Sequence, residues 1–467
     1  MGFFDVFMKF FPEVKGPTEK RLSFKIKLKW TLIILVAFFV LSVIPLYGLG
    51  ANELAQFESL SIILGASFGS LMSLGIGPIV TASIVLQLLT GSGLLKIKTD
   101  TPEGKTFFQG LQKVLALFFI IFEALIYVFM GGLAPPEQFV GTSTFFGLQL
   151  LLVFQLFLGG LMVLFMDEVI NKWGFGSGIS LFIAAGVSSS IFVRAFSPLT
   201  SAGTFALGSG QAPIGQVWVF FVSLMGGNPQ GALLALAAIV ATILVFVIAV
   251  YAQAMKVEIP LSFGRVRGHG MRWPLQFIYT SNIPVILIAA LLANVQLMAR
   301  LLQNWGHPLL GTFIGNTPAS GFVLWIFPPN LLNGVITGGL RFMDLLYATS
   351  YALFMIGGAI LFSVFWVQTA GMDAKSQAKK ILSSGMQIPG FRRDPRVLEQ
   401  ILNRYIPALT VLGGIAVGIL AASADLLGAL SNGTGILLTV MIIYKLYEEV
   451  AQQHMMDMHP ALRKMME

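Results

Sequence analysis

Long apolar runs alternate along the chain with shorter polar or Gly-rich stretches. A helix needs roughly 20 apolar residues to cross ~30 Å of hydrocarbon. Runs of that kind lie near 30–49, 74–91, 106–130, 145–166, 176–196, 231–254, 275–298, 344–368, 404–422 and 430–450. They predict ten transmembrane helices and an all-α integral membrane protein, because a helix satisfies its own backbone in lipid.

Three stretches break the pattern. Residues 57–70, FESLSIILGASFGS, are apolar but too short to cross, and they are rich in Ser and Gly. Broken backbone at membrane depth is tolerated where it is buried in protein or lines a cavity. The stretch reads as a re-entrant half-helix, or else as a loop helix outside the bilayer. Residues 197–230 and 299–343 are long and rich in Gly, Pro and aromatics, which predicts folded outer caps. The spans divide into halves, 30–196 and 231–450, between a segment 1–29 and a tail 451–467. Five spans in each half predict an inverted, pseudo-symmetric pair. No convincing sequence repeat accompanies it.

Charge then orients the helices. The chain has 467 residues, 56% hydrophobic and 11% charged, against about 25% charged in a soluble domain. With the N-terminus cytoplasmic, 26 of the 29 Lys and Arg fall on inner segments or span edges, and only Arg194, Arg300 and Arg341 fall outside. This is a strong positive-inside bias. It predicts both termini in the cytoplasm, and one span more or fewer would spoil it. Segment 1–29 mixes Phe3, Phe4, Phe7, Phe10 and Phe11 with Lys15, Lys20, Arg21, Lys25, Lys27 and Lys29. It reads as an amphipathic helix on the membrane surface or as a short helix packed on the protein itself.

Candidate chemistry is sparse. There is no Cys, so neither a disulfide nor a thiolate metal site is possible, and the four His lack ligand spacing. No cofactor motif is present. Gly174-Phe175-Gly176-Ser177-Gly178 resembles a nucleophile elbow without its strand-turn-helix context. An enzyme is not expected. Glu123 is the one acidic residue well inside a span, where a charge costs about 2.5–3.5 kcal/mol on insertion scales. It is either a hydrogen-bonded strut or a group facing a watery path. A relay of Asp, Glu and His within spans is missing, which argues against ion-coupled transport. Two inner loops, 256–273 and 375–404, carry more positive charge than orientation needs. Lipid attraction accounts for part of it, and docking of a phosphate-rich or acidic partner for the rest.

Four motifs tie the chain to a known family. They are Gly75-Ile-Gly-Pro-Ile-Val-Thr-Ala-Ser-Ile-Val-Leu-Gln-Leu-Leu89, Gly176-Ser-Gly-Ile-Ser-Leu-Phe-Ile183, Ser281-Asn-Ile-Pro-Val-Ile286 and Ser383-Ser-Gly-Met-Gln-Ile-Pro-Gly-Phe-Arg-Arg-Asp394. The chain resembles the SecY family, central subunits of the Sec protein-conducting channel, and most of all its archaeal branch. The resemblance covers nearly the whole length.

The resemblance implies ten spans in two halves hinged within 197–230, around an hourglass pore. Its narrow ring would be Ile76, Val80, Ile179, Ile183, Ile286 and Leu438, the last on the weakest motif match. Segment 57–70, with Ser59, Ile62, Ile63, Leu64 and Ser67, would be a plug on the outer side of the ring. Thr81, Glu123 and Asn294 would form a polar cluster at a lateral gate, where spans 2 and 3 face spans 7 and 8 and signal sequences leave for lipid. Arg265, Arg267, Arg392 and Arg393 would dock the ribosome. Small single-span subunits of the SecE and archaeal beta type would be partners, together with nascent polypeptides and membrane lipid. The location would be the plasma membrane. The residues agree with this reading: Ile76/Val80 and Ile179/Ile183 are i, i+4 pairs on one helical face, and a narrow apolar ring seals by dewetting. Two other readings stay open. One is a transporter of a small neutral solute, with Gly75-Ile76-Gly77-Pro78 as unwound binding backbone. The other is a scramblase or insertase with a lateral opening.

Overall fold

The computed structural model describes residues 13–19, 22–52, 64–95, 97, 101–200, 204–206, 212–263, 270–280, 283–315, 317–383, 386–387, 395–431 and 433–458. Helices stand at all ten predicted positions. They are α1 (Phe24–Val43), α2 (Gly77–Gly91), α3 (Pro102–Phe129), α4 (Ser143–Trp173) and α5 (Gly178–Phe196), then, after a short outer helix α6 (Gln216–Met225), α7 (Pro229–Ala254). A hairpin of β3 (Lys256–Phe263) and β4 (Gly270–Gln276) leads into α8 (Ile283–Asn304). An outer cap follows, built from β5 (Gly311–Ile314), β6 (Thr317–Gly321), α9 (Phe322–Trp325) and α10 (Leu331–Thr337). The chain closes with α11 (Phe342–Thr369), the inner helix α12 (Ala374–Ser383), β7 (Met386–Gln387), α13 (Pro395–Leu426) and α14 (Gly433–Met458). Two outer residue pairs, β1 (Ala51–Asn52) and β2 (Leu133–Ala134), join antiparallel.

Among the described residues, eight helices are long and apolar enough to cross a membrane. The other two positions differ for simple reasons. Helix α2 has only 15 residues because Gly75, at φ 54°, and Pro78 start it late. Helix α14 carries Lys445, Glu448 and Glu449 in its inner half. Several boundaries move outward. Helix α1 starts at Phe24 rather than near 30, since Lys25 and Lys29 stay exposed on its first turns while Lys27 lies over the Phe175 ring and reaches Gln453, so a long Lys stem is compatible with the helix. Helix α13 starts at Pro395, because Leu398, Leu402, Ile406 and Leu409 bury one face against Ala378 and Ile381 of α12.

The packing order repeats with an offset of five spans. Helix α2 packs on α3 and α3 on α4; likewise α8 packs on α11 and α11 on α13. Contacts of α2 with α8 and α11, and of α14 with α5 and α1, join the halves. This fits the expected inverted pair. Helix α8 lies at the centre, with 67% of its apolar stretch buried, against 22% for α7. The outer face of α7 instead exposes Leu236, Val240, Ile243, Phe246 and Val247. A contiguous apolar face of that size belongs against lipid.

The inner loops are not loops throughout. Strands β4, β3 and β7 make one sheet, in which Ser262 pairs with Gln387 and Phe263 with Met386. The two basic segments are thereby joined. Beneath them Tyr279, buried with Leu275, Leu398 and Leu402, donates its hydroxyl to the Met372 carbonyl at 2.7 Å. Burial, with the Asp373 charge nearby, pushes the Tyr279 hydroxyl above its usual range.

Candidate functional site

The site starts from the turn before α2. Gly75 reaches φ 54°, and a Cβ there would lie 2.3 Å from the Leu64 carbonyl oxygen. Only Gly accepts both the angle and the approach. The next residue, Ile76, donates its backbone N–H to that carbonyl at 2.8 Å. Gly77 and Pro78 then open the helix, Pro supplying a φ suited to the first turn. Ile76 and Val80 follow one another by one turn, their backbones joined at 3.0 Å.

Four helices converge here. Ile76 (1% exposed), Val80 (2%), Ile183 (0%), Ile286 (7%) and Leu438 (1%) belong to one apolar cluster, with Ile179 partly buried against it. All six expected ring residues therefore share one buried core.

Leu64 joins the same cluster, and Gly65 runs past Ile76 and Phe182. Ser59, Ile62 and Ile63 lie outside the described residues. Residues 57–63 of the expected half-helix lie outside the described residues, and its end, 64–70, forms turns rather than helix. Ser hydroxyls explain the change, because they bond nearby backbone and compete with helix. Ser67 donates to the Ser42 carbonyl of α1 at 3.0 Å, and its own carbonyl accepts from Ser70 at 2.7 Å and Ser73 at 3.3 Å. This end of the segment is thus pinned to α1. Gly75-Ile76-Gly77-Pro78 is not free binding backbone either: Leu64 and Ala66 press on Gly75. The small-solute reading loses its one candidate site.

A polar bridge crosses the apolar contact. Asn294 of α8 donates to the Thr81 hydroxyl of α2 at 2.8 Å. Thr81 in turn faces Glu123 Oε1 of α3 at 3.2 Å and the Gly77 carbonyl at 2.9 Å. Its single proton serves one acceptor at a time. Glu123 is 7% exposed, and its Oε2 has no hydrogen-bond partner among the described residues. At its C-terminal end α2 meets α11 directly: a Cβ on Gly91 would lie 2.5 Å from the Phe365 ring. Helix α2 is in contact with both α8 and α11, so the seam is closed.

Arg265, Arg267, Arg392 and Arg393 lie outside the described residues. Their flanks are described, and the β3–β7 pairing brings the two segments onto one sheet. Period-two apolar positions, Val257, Ile259, Leu261 and Phe263, are the signal that would have revealed the hairpin in the sequence.

One ionic cluster escaped sequence reasoning altogether. Glu168, buried in α4, pairs with Lys113 of α3 at 2.8 Å and Lys172 at 2.9 Å. Lys172 also meets Glu13 at 2.7 Å, and Trp173 donates to the Lys15 carbonyl at 2.9 Å. The hydrogen bond from Lys172 and the charge of Lys113 hold the Glu13 carboxyl below its usual range. Residues 13–15 are thus strapped to the inner ends of α3 and α4. Glu168 and Lys172 are an i, i+4 pair on α4, but no local pattern announces Lys113 or Glu13, which are distant in sequence. Among the described residues, no group of three His, Asp or Glu is placed to hold a metal ion.

Comparison with known proteins places this geometry. The SecY family model matches residues 70–447, and the model for the plug domain of Sec61p matches 36–69. The SecY subunit of the protein translocase from Methanothermobacter thermautotrophicus is 46% identical over 465 residues, covering 98% of this chain and 97% of its own. A solved structure of a protein-conducting channel superposes with a TM-score of 0.83 at 41% identity, covering 98% of each chain. Sec61 in the canine ribosome-channel complex gives 0.80 at 41% identity, again covering 98% of each chain. On the family match, on identity over nearly its full length and on fold, the chain belongs to the SecY family.

Proposed function

We propose that this chain is the passive protein-conducting channel of a Sec translocon, not an enzyme. It passes unfolded polypeptides across the membrane and releases apolar helices sideways into lipid. The observation that carries the reading is the junction of Leu64 with Ile76, where a turn segment backs an apolar constriction. Ile76, Val80, Ile179, Ile183, Ile286 and Leu438 form the ring. It excludes water and ions yet grips no sequence, which suits a passage for any polypeptide. The plug segment covers the ring from outside. The Thr81–Glu123–Asn294 bridge closes the lateral gate, and an apolar signal helix displaces it by offering apolar contacts instead.

Arg265, Arg267, Arg392 and Arg393, on the two segments joined by β3 and β7, dock the ribosome, which supplies the driving force. Positive-inside charge supports cytoplasmic termini in the plasma membrane. The exposed apolar faces of α1 and α7 take small single-span partners and lipid. The halves are 30–196 and 231–450, with 197–230 as the hinge.

The test is reconstitution. The purified chain with its co-purifying small subunits, in vesicles charged with ribosomes carrying a signal-bearing nascent chain, should protect that chain from external protease. Saturable uptake of a small neutral solute without chain protection would overturn the reading.

A further inference from the structure

One arrangement outside the gate occurs twice. Near the end of α4, Asp167 accepts the backbone N–H of Ile179 at 2.9 Å and also that of Gly178. At the end of α13, Asp425 accepts the backbone N–H of Thr434 at 2.9 Å, the Thr434 hydroxyl and the N–H of Gly433. Gly178 and Ile179 are the first two residues of α5, and Gly433 and Thr434 the first two of α14. In each half, then, a carboxylate from the fourth span caps the start of the fifth. A negative group there satisfies free N–H donors and complements the helix dipole. The local sequence does not do this work in α5, since Ser177 at its N-cap makes no side-chain capping bond. Both junctions are tight. A Cβ on Gly178 would lie 2.6 Å from Asp167 Cα, and one on Gly433 would lie 2.0 Å from the Ala424 carbonyl carbon.

The register that follows is the same in both halves. Ile183 comes five residues after Gly178, and Leu438 five residues after Gly433 (183 − 178 and 438 − 433). Both are buried in the one apolar cluster, at 0% and 1% exposure. Matching Gly176-Ser177-Gly178-Ile179 to Gly433-Thr434-Gly435-Ile436 by residue type would pair Ile183 with Val440 instead. Counting from the capped helix starts selects Leu438. Helices α5 and α14 also touch, with Gly435 against Val187. Asp425 further accepts the hydroxyl of Tyr351, on α11, at 2.6 Å, so this cap is fastened to a gate helix.

We propose that Asp167 and Asp425 are positioning residues for the pore seal. Each fixes the axial height of the fifth span in its half, and through it the height of Ile183 or Leu438. The inference rests on the ring reading given above. The two spans run in opposite directions, so the caps hold the ring from opposite ends while the gate moves.

The experiment is potassium efflux from vesicles holding the assembled complex. Losing one cap is worth roughly a factor of ten in the population of a displaced helix start. Asp167→Ala and Asp425→Ala should each raise efflux about tenfold, whereas Asp167→Asn and Asp425→Asn keep an acceptor oxygen and should stay near the unmodified rate. Gly178→Ala pushes α5 off Asp167 while leaving both carboxylates, and should leak like the Ala variants. It decides the matter if an Ala variant does not assemble. Ile183→Gly is the control. If it does not leak, the ring reading is wrong. If it leaks while Asp167→Ala, Asp425→Ala and Gly178→Ala do not, or if the Asn variants leak as much as the Ala variants, the positioning inference is overturned.

Discussion

Asn294 on α8 reaches Thr81 on α2 at 2.8 Å, and this bond ties one half of the molecule to the other. It is the described side-chain hydrogen bond between α2 and α8, set among apolar contacts, so its loss is felt at the seam. A net hydrogen bond is worth about 0.5–1.5 kcal/mol. Asn294→Leu or Glu123→Leu should therefore shift gate opening by up to about tenfold. Export of substrates with weakened signal sequences should rise accordingly, and unchanged export of those substrates would sink the gate assignment.

Gly75 makes a separate prediction. At φ 54°, with the Leu64 carbonyl oxygen 2.3 Å from where a Cβ would stand, Gly75→Ala costs about 1–2 kcal/mol in backbone conformation alone. Relief comes from moving the 64–66 turn off Ile76. Efflux from resting vesicles should increase while expression and assembly persist. A tight resting channel in this variant would show that Leu64 does not back the constriction.

The joined basic segments predict salt-sensitive docking. Charge reversal at Arg392 and Arg393 should weaken ribosome binding, and the wild-type affinity should itself fall as salt rises. Sedimentation with vacant ribosomes at two salt concentrations reads both. Wild-type binding by the double variant at low salt would refute the assignment.

The strap formed by residues 13–15 predicts a pH effect. Glu13 has its carboxyl lowered from 4.5 by Lys172 and Lys113. A lowered carboxyl stabilises the folded contact above its free value and loses that contribution as pH falls through the folded value. The strap should hold at pH 7 and release progressively below about 4.5. Trp173, whose indole N–H donates to the Lys15 carbonyl, should report this by fluorescence. Lys172→Met should give the released signal at all pH values; a signal flat from pH 7 to 3 in the wild type would show that the pairing is not formed.

Much of this architecture is legible in the sequence because lipid reduces folding to hydropathy and charge. Ten apolar runs suffice for the positions of the spans, and the one-sided distribution of Lys and Arg is the basis for the proposed direction. The start of α1 is obscured by Lys25, Lys27 and Lys29, which a hydropathy window counts as polar though their stems are not. The β3–β4 hairpin is masked although Val257, Ile259, Leu261 and Phe263 alternate cleanly, because basic residues and glycines at its tip have the composition of a loop. The Thr81–Glu123–Asn294 bridge has no local signature, and only the family resemblance brings its members together. The two Asp caps are invisible for the same reason: each joins the end of one helix to the start of the next across a turn whose geometry no periodicity encodes.

The proposed ring requires the polypeptide to pass Ile76. The direct measurement places a photo-cross-linker at Ile76, at Ile183 and, as a lipid-facing reference, at Val247, in vesicles engaged with a stalled signal-bearing chain. Cross-links to the chain at Ile76 and Ile183, dependent on an intact signal sequence and absent at Val247, are predicted. Cross-links at Val247 with none at Ile76 would mean that the polypeptide takes another path.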